Sequence, residues 1–319
     1  MSVAVVIIGR NEGERLLACL DSLKGQGLRL VYVDSGSTDD SAAAARAAGA
    51  EVVELDTTTP FTAARARHEG FRALGTDLPE AVQFVDGDCA VVPGWIEAGL
   101  AALLSDPRLG LVTGWRAEMA PEASGYNALC HHEWRRPAGE IAACGGDMLV
   151  RSRAYLEAGG FDARVIAAED DELCQRLRKA GWRLVRLPRE MTRHDAAMTR
   201  FGQWWRRAVR SGHGFAQVGD LHPGYFARER ARVWLYGLVL PLLALAGLVW
   251  WPLLAAVLAV YALSYAKTVR GLRGEGMGWA RALHHALFLS LSKCPNLIGM
   301  LTYYLRKRRG AAMRIIEYK

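Results

Sequence analysis

The first ninety residues alternate between short apolar runs and longer segments with helical spacing. The apolar runs VAVVIIG, LRLVYVD, EVVEL and AVQFVD have the length and continuity of buried parallel strands. Between them lie EGERLLACLDSL, DDSAAAARAAG and TAARARHEGFRAL, which predict helices. Alternating strands and helices with short connections predict an α/β fold, with a mostly parallel sheet and helices on both faces.

The strand ends of this predicted sheet carry acidic residues. Asp34 ends the second strand and Asp86 ends the fourth. In an open α/β sheet, ligands bind in the crevice beyond the carboxyl ends of the strands. The pattern therefore places both acids at the predicted binding crevice.

The last third of the chain has a different pattern. Residues 233–266 contain no charged residue. One helix of that length would measure ~51 Å, longer than the ~30 Å hydrocarbon core of a bilayer. Pro252, after Trp250 and Trp251, offers a natural break, so we expect a hairpin of two membrane helices. A buried pair of soluble helices is the alternative, and it fits poorly because no polar face is available to meet water.

The segment 279–305 is apolar but also holds His284, His285, Lys293 and Pro295. It is compatible with a third span, a re-entrant pair or an amphipathic helix in the membrane interface. The basic run from Arg306 would bind anionic headgroups in each case. We therefore expect an enzyme domain over residues 1–230, whose basic and aromatic part at 200–230 is interfacial, and a membrane-associated helical region over 231–319.

Charge is divided unevenly along the chain. Residues 200–319 hold 18 Lys/Arg and four Asp/Glu, a balance of +14, so the whole-chain charge of +7 leaves −7 for residues 1–199. The apolar content of the basic part favours a membrane surface over nucleic acid as its partner. Basic residues flank both ends of the predicted hairpin, and the positive-inside rule then places both ends and the enzyme domain in the cytoplasm.

Cysteines and the N-terminus say little about chemistry. The six cysteines are scattered, without a C-x-x-C pair or a zinc spacing, which is typical of a reducing compartment. The opening MSVAVVIIGRNEGERL has no basic region or cleavage site, so we expect no signal peptide.

The stretch QFVDGDCAVVPGW places Asp86 and Asp88 on either side of Gly87, directly after a predicted strand. In extended backbone, residues two apart point to the same side, and two adjacent carboxylates repel unless a cation lies between them. A hard divalent cation with oxygen ligands fits this arrangement. A polar strand end or an Asx turn is the structural alternative.

Six segments, in order, carry a resemblance to the family 2 glycosyltransferases of the GT-A fold. They are IIGRNEGERL, VDSGSTDDS, ARARHEGF, FVDGDC, CGGDMLVRSRAYLEAGGFD and AAEDDELCQRLRKAGW. Each is weak alone, but their order and spacing over roughly residues 3–210 are specific. The resemblance implies an enzyme that transfers a sugar from a nucleotide-diphosphate donor, a UDP-sugar being expected, with inversion at the anomeric carbon.

The resemblance also implies roles for individual residues. Asp86 would contact the ribose or the metal, Asp88 would bind Mn²⁺ or Mg²⁺, and His194 would complete the metal site. A surface or packing role for His194 is equally compatible with the sequence. The implied donor-binding residues are Asn11, Glu12, Asp34, Asp39, Arg67, Asp86, Gly145, Gly146, Asp147, Gln203 and Arg206.

The second acidic cluster, AAEDDELCQRLRKAG, is predicted to be helical from Asp170. Acids at a helix N-terminus commonly interact with the helix dipole. A neutral hydroxyl group that receives the sugar, however, needs a base to take its proton. The resemblance assigns the catalytic site to Glu169 and Asp170, with Asp170 as the base.

We therefore expect a membrane-associated enzyme that adds one sugar to a lipid-linked or glycan acceptor, in exopolysaccharide or lipid-linked glycan assembly. A polyprenyl-phosphate glycosyltransferase is one alternative, although its ionised acceptor would need no base. A catalytically silent membrane scaffold with the same fold is the other.

Overall fold

The computed structural model describes residues 2–318, which form two compact units. The first comprises the chain up to Ala197 together with Ala312–Ile315, and the second comprises Met198–Ala311 with the end of the chain. Contacts therefore group residues 200–230, which we expected within the enzyme domain, with the helical unit.

The first unit is built on one nine-stranded sheet with the spatial order β3-β2-β1-β4-β8-β6-β9-β5, and β7 also pairs with β9. Strands β1 to β4 are mutually parallel, whereas β8 runs antiparallel to β4 and β6. The predicted mostly parallel α/β sheet is confirmed in its first four strands. The strands are β1 Val3–Gly9, β2 Arg29–Asp34, β3 Glu51–Glu54, β4 Ala81–Asp86, β5 Cys89–Val91, β6 Leu109–Glu118, β7 Gly139–Glu140, β8 Met148–Arg151 and β9 Arg183–His194.

Helices cover both faces of the sheet, as the alternating pattern predicts. One apolar core includes Val6, Val33 and Phe84 with Leu173 of α7, and the other includes Val5, Ile7 and Val85 with Leu16 and Leu20 of α1. Because strand side chains alternate between faces, the fully apolar runs supply both cores at once. The helices of this unit are α1 Glu14–Leu23, α2 Ser41–Ala47, α3 Ala63–Ala73, α4 Trp95–Ser105, α5 Gly125–Trp134, α6 Ser152–Glu157 and α7 Glu169–Lys179.

The second unit is helical throughout its regular structure. The predicted break in the uncharged segment is present, because one helical stretch ends at Gly247 and the next begins at Trp251, with Pro252 in its first turn. Ala227–Gly247 and Trp251–Gly274 are long and apolar enough to cross a membrane. The segment 279–305 forms two shorter helices. The elements are α8 Phe201–Leu221, α9 Ala227–Trp234, a π-helical turn at Leu235–Val239, α10 Leu240–Gly247, α11 Trp251–Gly274, α12 Trp279–Leu291 and α13 Lys293–Arg308.

Helices α8 and α13 pack closely at two glycines. A Cβ atom on Gly212 would lie 2.0 Å from the carbonyl oxygen of Asn296, and one on Gly299 would lie 1.9 Å from that of Val209. Real atoms do not approach so closely, so these positions require glycine for the two backbones to touch.

Candidate active site

The sheet register brings the predicted acids to one edge. Gly9 at the end of β1 pairs with Asp34 of β2, and Ile8 pairs with Asp86 of β4. The three strands are parallel, so their carboxyl ends meet at the same edge of the sheet. The turn after β4 then carries Asp88, and the N–H of Gly87 donates to the carbonyl of Ile8 at 2.7 Å.

Asp34 organises the loop after β2. Its Oδ2 accepts the N–H groups of Gly36 at 3.0 Å and Ser37 at 2.8 Å. Asn11 secures the same loop, because its N–H donates to Ser37 Oγ at 2.9 Å and its Oδ1 accepts the Thr38 N–H at 2.7 Å. Asn11 holds this position with a left-handed φ of 55°. The structure thus joins Asp34 and Asn11 in one loop.

Two other predicted donor residues lie beside this loop. Glu12 forms an ion pair with Arg15 at 2.9 Å. Asp39 is exposed and accepts the Ser41 N–H at 3.0 Å. Hydrogen bonds from Ser41 lower the pKa of Asp39, so it is ionised near neutral pH.

Arg67 of α3 lies at the centre of a buried ionic network. Its side chain is 2% exposed, and its guanidinium contacts Asp86 Oδ1 at 2.5 Å and Glu169 Oε1 at 2.7 Å. Burial alone would lower the pKa of Arg67, but the two carboxylates raise it, so it stays charged. A Cβ atom at Gly146 would lie 2.3 Å from Arg67 Nη2, which explains the glycine at that position.

Arg116 of β6 completes the network, and the sequence analysis missed it. Its Nη2 lies 3.1 Å from Asp86 Oδ2 and 2.8 Å from Asp147 Oδ1. Asp86 therefore has an arginine on each oxygen. Although burial would raise the pKa of Asp86, Arg67 and Arg116 lower it. The available signal was the pair of charged residues, Arg116 and Glu118, near the end of the largely apolar strand sequence LGLVTGWRAE.

Asp147 is held by the protein itself. Besides Arg116, its carboxylate accepts the backbone N–H of Asp86 at 3.1 Å and the hydroxyl of Thr192 at 2.6 Å. These bonds lock the end of β4 against the loop that carries Gly145 and Gly146. Gly145 is exposed, with no atom within 4 Å of a Cβ built on it.

Asp88 and His194 face each other across the β5–β9 pair. His194 Nε2 lies 3.2 Å from Asp88 Oδ2, and both side chains are buried. On the other side of the ring, His194 Nδ1 lies 3.7 Å from Glu118 Oε2. Burial would lower the pKa of His194, but Asp88 and Glu118 raise it. The buried carboxylate Glu118, also missed from the sequence, lies beside this nitrogen but beyond hydrogen-bonding distance, and Nδ1 has no hydrogen-bond partner among the described residues.

Several of these side chains can share a cation. Ligand atoms of Asp88, Cys89 and His194 lie within 4.8 Å of one another, as do those of Asp86, Cys89 and Asp147. Burial raises the pKa of the Cys89 thiol, which makes it a poor ligand for a hard cation. The carboxylate of Asp88 and the imidazole of His194, with Glu118 behind it, suit Mn²⁺ or Mg²⁺ best. Asp86 is a less available ligand, because each of its oxygens already contacts an arginine.

Helix α7 begins at Glu169, one residue earlier than predicted, and presents two acids in different states. Glu169 is buried and paired with Arg67. Asp170 is half-buried, and its side chain accepts a hydrogen bond from the Asp171 N–H at 3.0 Å. Burial, then Asp171 and Glu169, raise the pKa of Asp170 well above its ordinary value. The helix cap is Ala168, with a left-handed φ of 57° and no side-chain cap, so Asp170 does not cap the helix.

Gln203 and Arg206 belong to the second unit. Gln203 Oε1 accepts the N–H groups of Thr199 and Arg200, both at 3.0 Å, and so caps the start of α8. Arg206 is exposed on the same helix. Their implied contact with the donor stays a prediction.

The sheet, its topology and the acidic crevice define the class as a GT-A-type nucleotide-sugar-binding fold. The sequence matches the model of the family "Glycosyl transferase family group 2" over residues 82–303 and that of "Glycosyl transferase family 2" over residues 4–157. The chain therefore belongs to the family 2 glycosyltransferases, which confirms the resemblance and the enzyme class drawn from the sequence.

Individual relatives share less than a third of their aligned residues with this chain. A pre-mycofactocin glycosyltransferase of Mycobacterium tuberculosis is 29% identical over 240 residues, covering 69% of this chain and 48% of that protein. The chain thus spans about half the length of this relative. An N-acetylglucosaminyl-diphospho-decaprenol L-rhamnosyltransferase of the same organism is 27% identical, covering 67% of this chain and 81% of that protein.

Among solved structures, TarS residues 1–349 of S. aureus in complex with UDP-GlcNAc is similar, with a TM-score of 0.52 and 16% sequence identity. The match covers 98% of this chain and 93% of that one. At this identity the likeness supports the fold alone.

Proposed function

We propose that the protein is an inverting, metal-dependent glycosyltransferase. It would move one sugar from a nucleotide-diphosphate donor, a UDP-sugar, to a hydroxyl group of a lipid-linked or membrane-delivered acceptor. One observation carries the proposal: a candidate cation-binding pair, Asp88 and His194, lies at the same edge of the α/β unit as a carboxylate, Asp170, that forms no ion pair with any described residue. The pair would hold a cation that neutralises the leaving diphosphate, and Asp170 would accept the proton of the attacking hydroxyl.

The divalent cation would be held by Asp88 and His194, and it would neutralise the departing diphosphate. Glu118 would fix the His194 ring so that Nε2 faces the cation. The Arg67–Asp86–Arg116 network holds the crevice rigid and keeps Asp86 ionised. Pre-organised charge of this kind needs no rearrangement during the reaction.

Asp170 is proposed to remove the acceptor proton. As the acceptor oxygen forms its bond to the anomeric carbon, the bond from that carbon to the diphosphate oxygen breaks, and the hydroxyl proton passes to Asp170. A base works best when its pKa lies near the working pH. The raised pKa of Asp170 moves it in that direction. Glu169 cannot take the role, because its carboxylate is committed to Arg67.

The acceptor is proposed to come from a membrane, in exopolysaccharide or lipid-linked glycan assembly. The two long apolar helices would form a hairpin in the bilayer, with the α/β unit on the cytoplasmic face. Their exposed side chains support this role, because Leu245, Trp251 and Leu263 are all more than 60% exposed. The relative named for a decaprenol-linked substrate is consistent with such an acceptor.

The test is metal-dependent donor binding followed by donor turnover. The full chain in detergent should bind UDP only with Mn²⁺ or Mg²⁺, measured by calorimetry with EDTA as the control. A screen of UDP-sugars, read by UDP release, should then identify one that turns over. Metal-dependent UDP binding with no turnover of any donor would favour the silent scaffold. No UDP binding at all would refute the proposed donor.

A further inference from the structure

Arg67 and Arg186 are the arginines of the described α/β unit whose side chains are more than nine-tenths buried. Arg67 is bound by two carboxylates. Arg186 donates one hydrogen bond, from Nη1 to the carbonyl of Pro137 at 3.3 Å. Its Nε has no partner, and it forms no ion pair with any described carboxylate. Within the part of the α/β unit that the structure describes, Arg186 is thus a buried guanidinium without a counter-ion.

An unpaired buried charge is unfavourable for the folded state. A guanidinium cannot relieve this by losing its proton at physiological pH. The titratable groups around Arg186 do not help: they are the Arg136 guanidinium and the thiols of Cys144 and Cys174. Burial, with a contribution from Arg136, lowers the pKa of Arg186. The surroundings therefore favour an anion that the protein does not supply.

The strand register places Arg186 near the proposed catalytic helix. Arg186 on β9 pairs with Gly139 of β7, and Leu184, on the same face, lies in the core with Leu173 and Cys174 of α7. Cys174 Sγ lies 3.5 Å from Cys144 Sγ. Cys174 also follows Asp170 by four residues, which is one helical turn. Cys174, one turn of α7 from the proposed base, is thus among the groups that interact electrostatically with Arg186.

We propose that Arg186 binds an oxyanion, a phosphate or carboxylate group, carried by the acceptor close to its reacting hydroxyl. The exposed guanidinium of Arg136 lies at the rim of this site. The planar fork of Arg186 would donate hydrogen bonds to two oxygens of such a group, using the Nε that has no partner among the described residues. The anion site stands on the buried charge itself, whereas its assignment to the acceptor rests on the proposed function.

The test compares thermal unfolding of the full chain in detergent with EDTA, in potassium chloride, acetate or phosphate at matched ionic strength. The variants are Arg186→Met, which keeps the length of the side chain, and Arg178→Met, an exposed position on α7, as the control. Wild type and the control should gain a saturable rise in melting temperature with phosphate or acetate. Arg186→Met should lose that rise and, in chloride, unfold at an equal or higher temperature.

Two results would overturn the site. One is an anion response that is absent in wild type or unchanged in Arg186→Met. The other is a lower melting temperature of Arg186→Met in chloride, which would assign the arginine to bracing the Pro137 loop.

The source of the anion is distinguished by two further probes. A response to methyl phosphate would indicate a group on a soluble part of the acceptor. A response only to micelles that contain phosphatidic acid would indicate a lipid phosphate.

Metal-dependent UDP binding, measured in chloride, should be equal in wild type and Arg186→Met. If UDP binding fails in both while the anion response remains, the proposed UDP-sugar donor is wrong and the anion site stands. If UDP binds normally and no anion response exists, the proposed anion site is wrong and the proposed donor stands.

Discussion

Replacing Asp170 by asparagine should separate donor binding from chemistry. Asparagine keeps the size of the side chain and can still accept the Asp171 N–H, but it cannot take a proton. General-base catalysis typically contributes ~10²–10⁴-fold to a rate. Asp170 holds neither Arg67, which Glu169 and Asp86 bind, nor His194. Affinity for UDP with Mn²⁺ should therefore change by no more than a few-fold while turnover falls at least ~100-fold.

The same substitution should also affect stability, in a direction fixed by the raised pKa of Asp170. A carboxyl whose pKa is higher in the folded than in the unfolded state binds protons more tightly when folded. It therefore destabilises the fold as pH rises above the unfolded value of ~3.9. The Asp170→Asn variant avoids this ionisation. Its melting temperature should match wild type at low pH and exceed it progressively as pH rises through the folded pKa.

The assay uses UDP release from the donor, with water as acceptor, alongside calorimetric UDP affinity on the same preparation. Asp171→Asn is the matched control, since it removes a neighbouring acid from the same helical turn and should keep turnover within a few-fold. Near-normal turnover of Asp170→Asn would remove Asp170 from the mechanism. Equal losses in both variants would indicate that these acids act only through the helix dipole.

Further predictions concern the metal pair, the backbone and the hairpin. Asp88→Ala should abolish metal-dependent UDP binding, and unchanged calorimetric affinity in Mn²⁺ would contradict the metal assignment. Glu118→Gln should weaken Mn²⁺ binding ~10–100-fold without unfolding the chain, because a metal-bound histidine depends on its outer partner; equal affinity would make Glu118 structural. Ala168→Gly should raise stability by about 0.5–1 kcal/mol by relieving the left-handed φ, measured by urea unfolding. A reporter fused after Lys267 should read cytoplasmic, and a periplasmic signal would refute the topology.

The sequence predicted the part of the fold that local pattern determines. Strands β1 to β4 are continuous apolar runs separated by helices, so their parallel direction and the terminal acids Asp34 and Asp86 followed from the pattern. Arg116 and Glu118 were missed because they lie on β6, which pairs with β8 and β9 rather than with a sequence neighbour. Pairing between distant strands leaves no local periodic signal.

Side-chain commitments were also invisible in the sequence. A motif places Asp86 near a cation, but only coordinates show that an arginine contacts each of its oxygens. Gln203 matched a position expected to contact the donor, and the structure shows that its side chain also caps the start of α8. Residue type fixes what a group can bind, whereas packing decides what it does bind.

The glycine contact between α8 and α13 bears on how the second unit is assembled during synthesis. The helices that flank the break before Trp251 are adjacent in the chain and can pair as soon as both have left the ribosome. Gly212, by contrast, must wait until Gly299 has been made before the two backbones can meet. The hairpin therefore forms before the α8–α13 contact, which joins the helices on either side of it in the chain and is made last. Alanine at Gly212 or Gly299 should leave the hairpin inserted but prevent α8 and α13 from packing. Limited proteolysis should then cut the chain on both sides of the hairpin and leave its apolar helices intact.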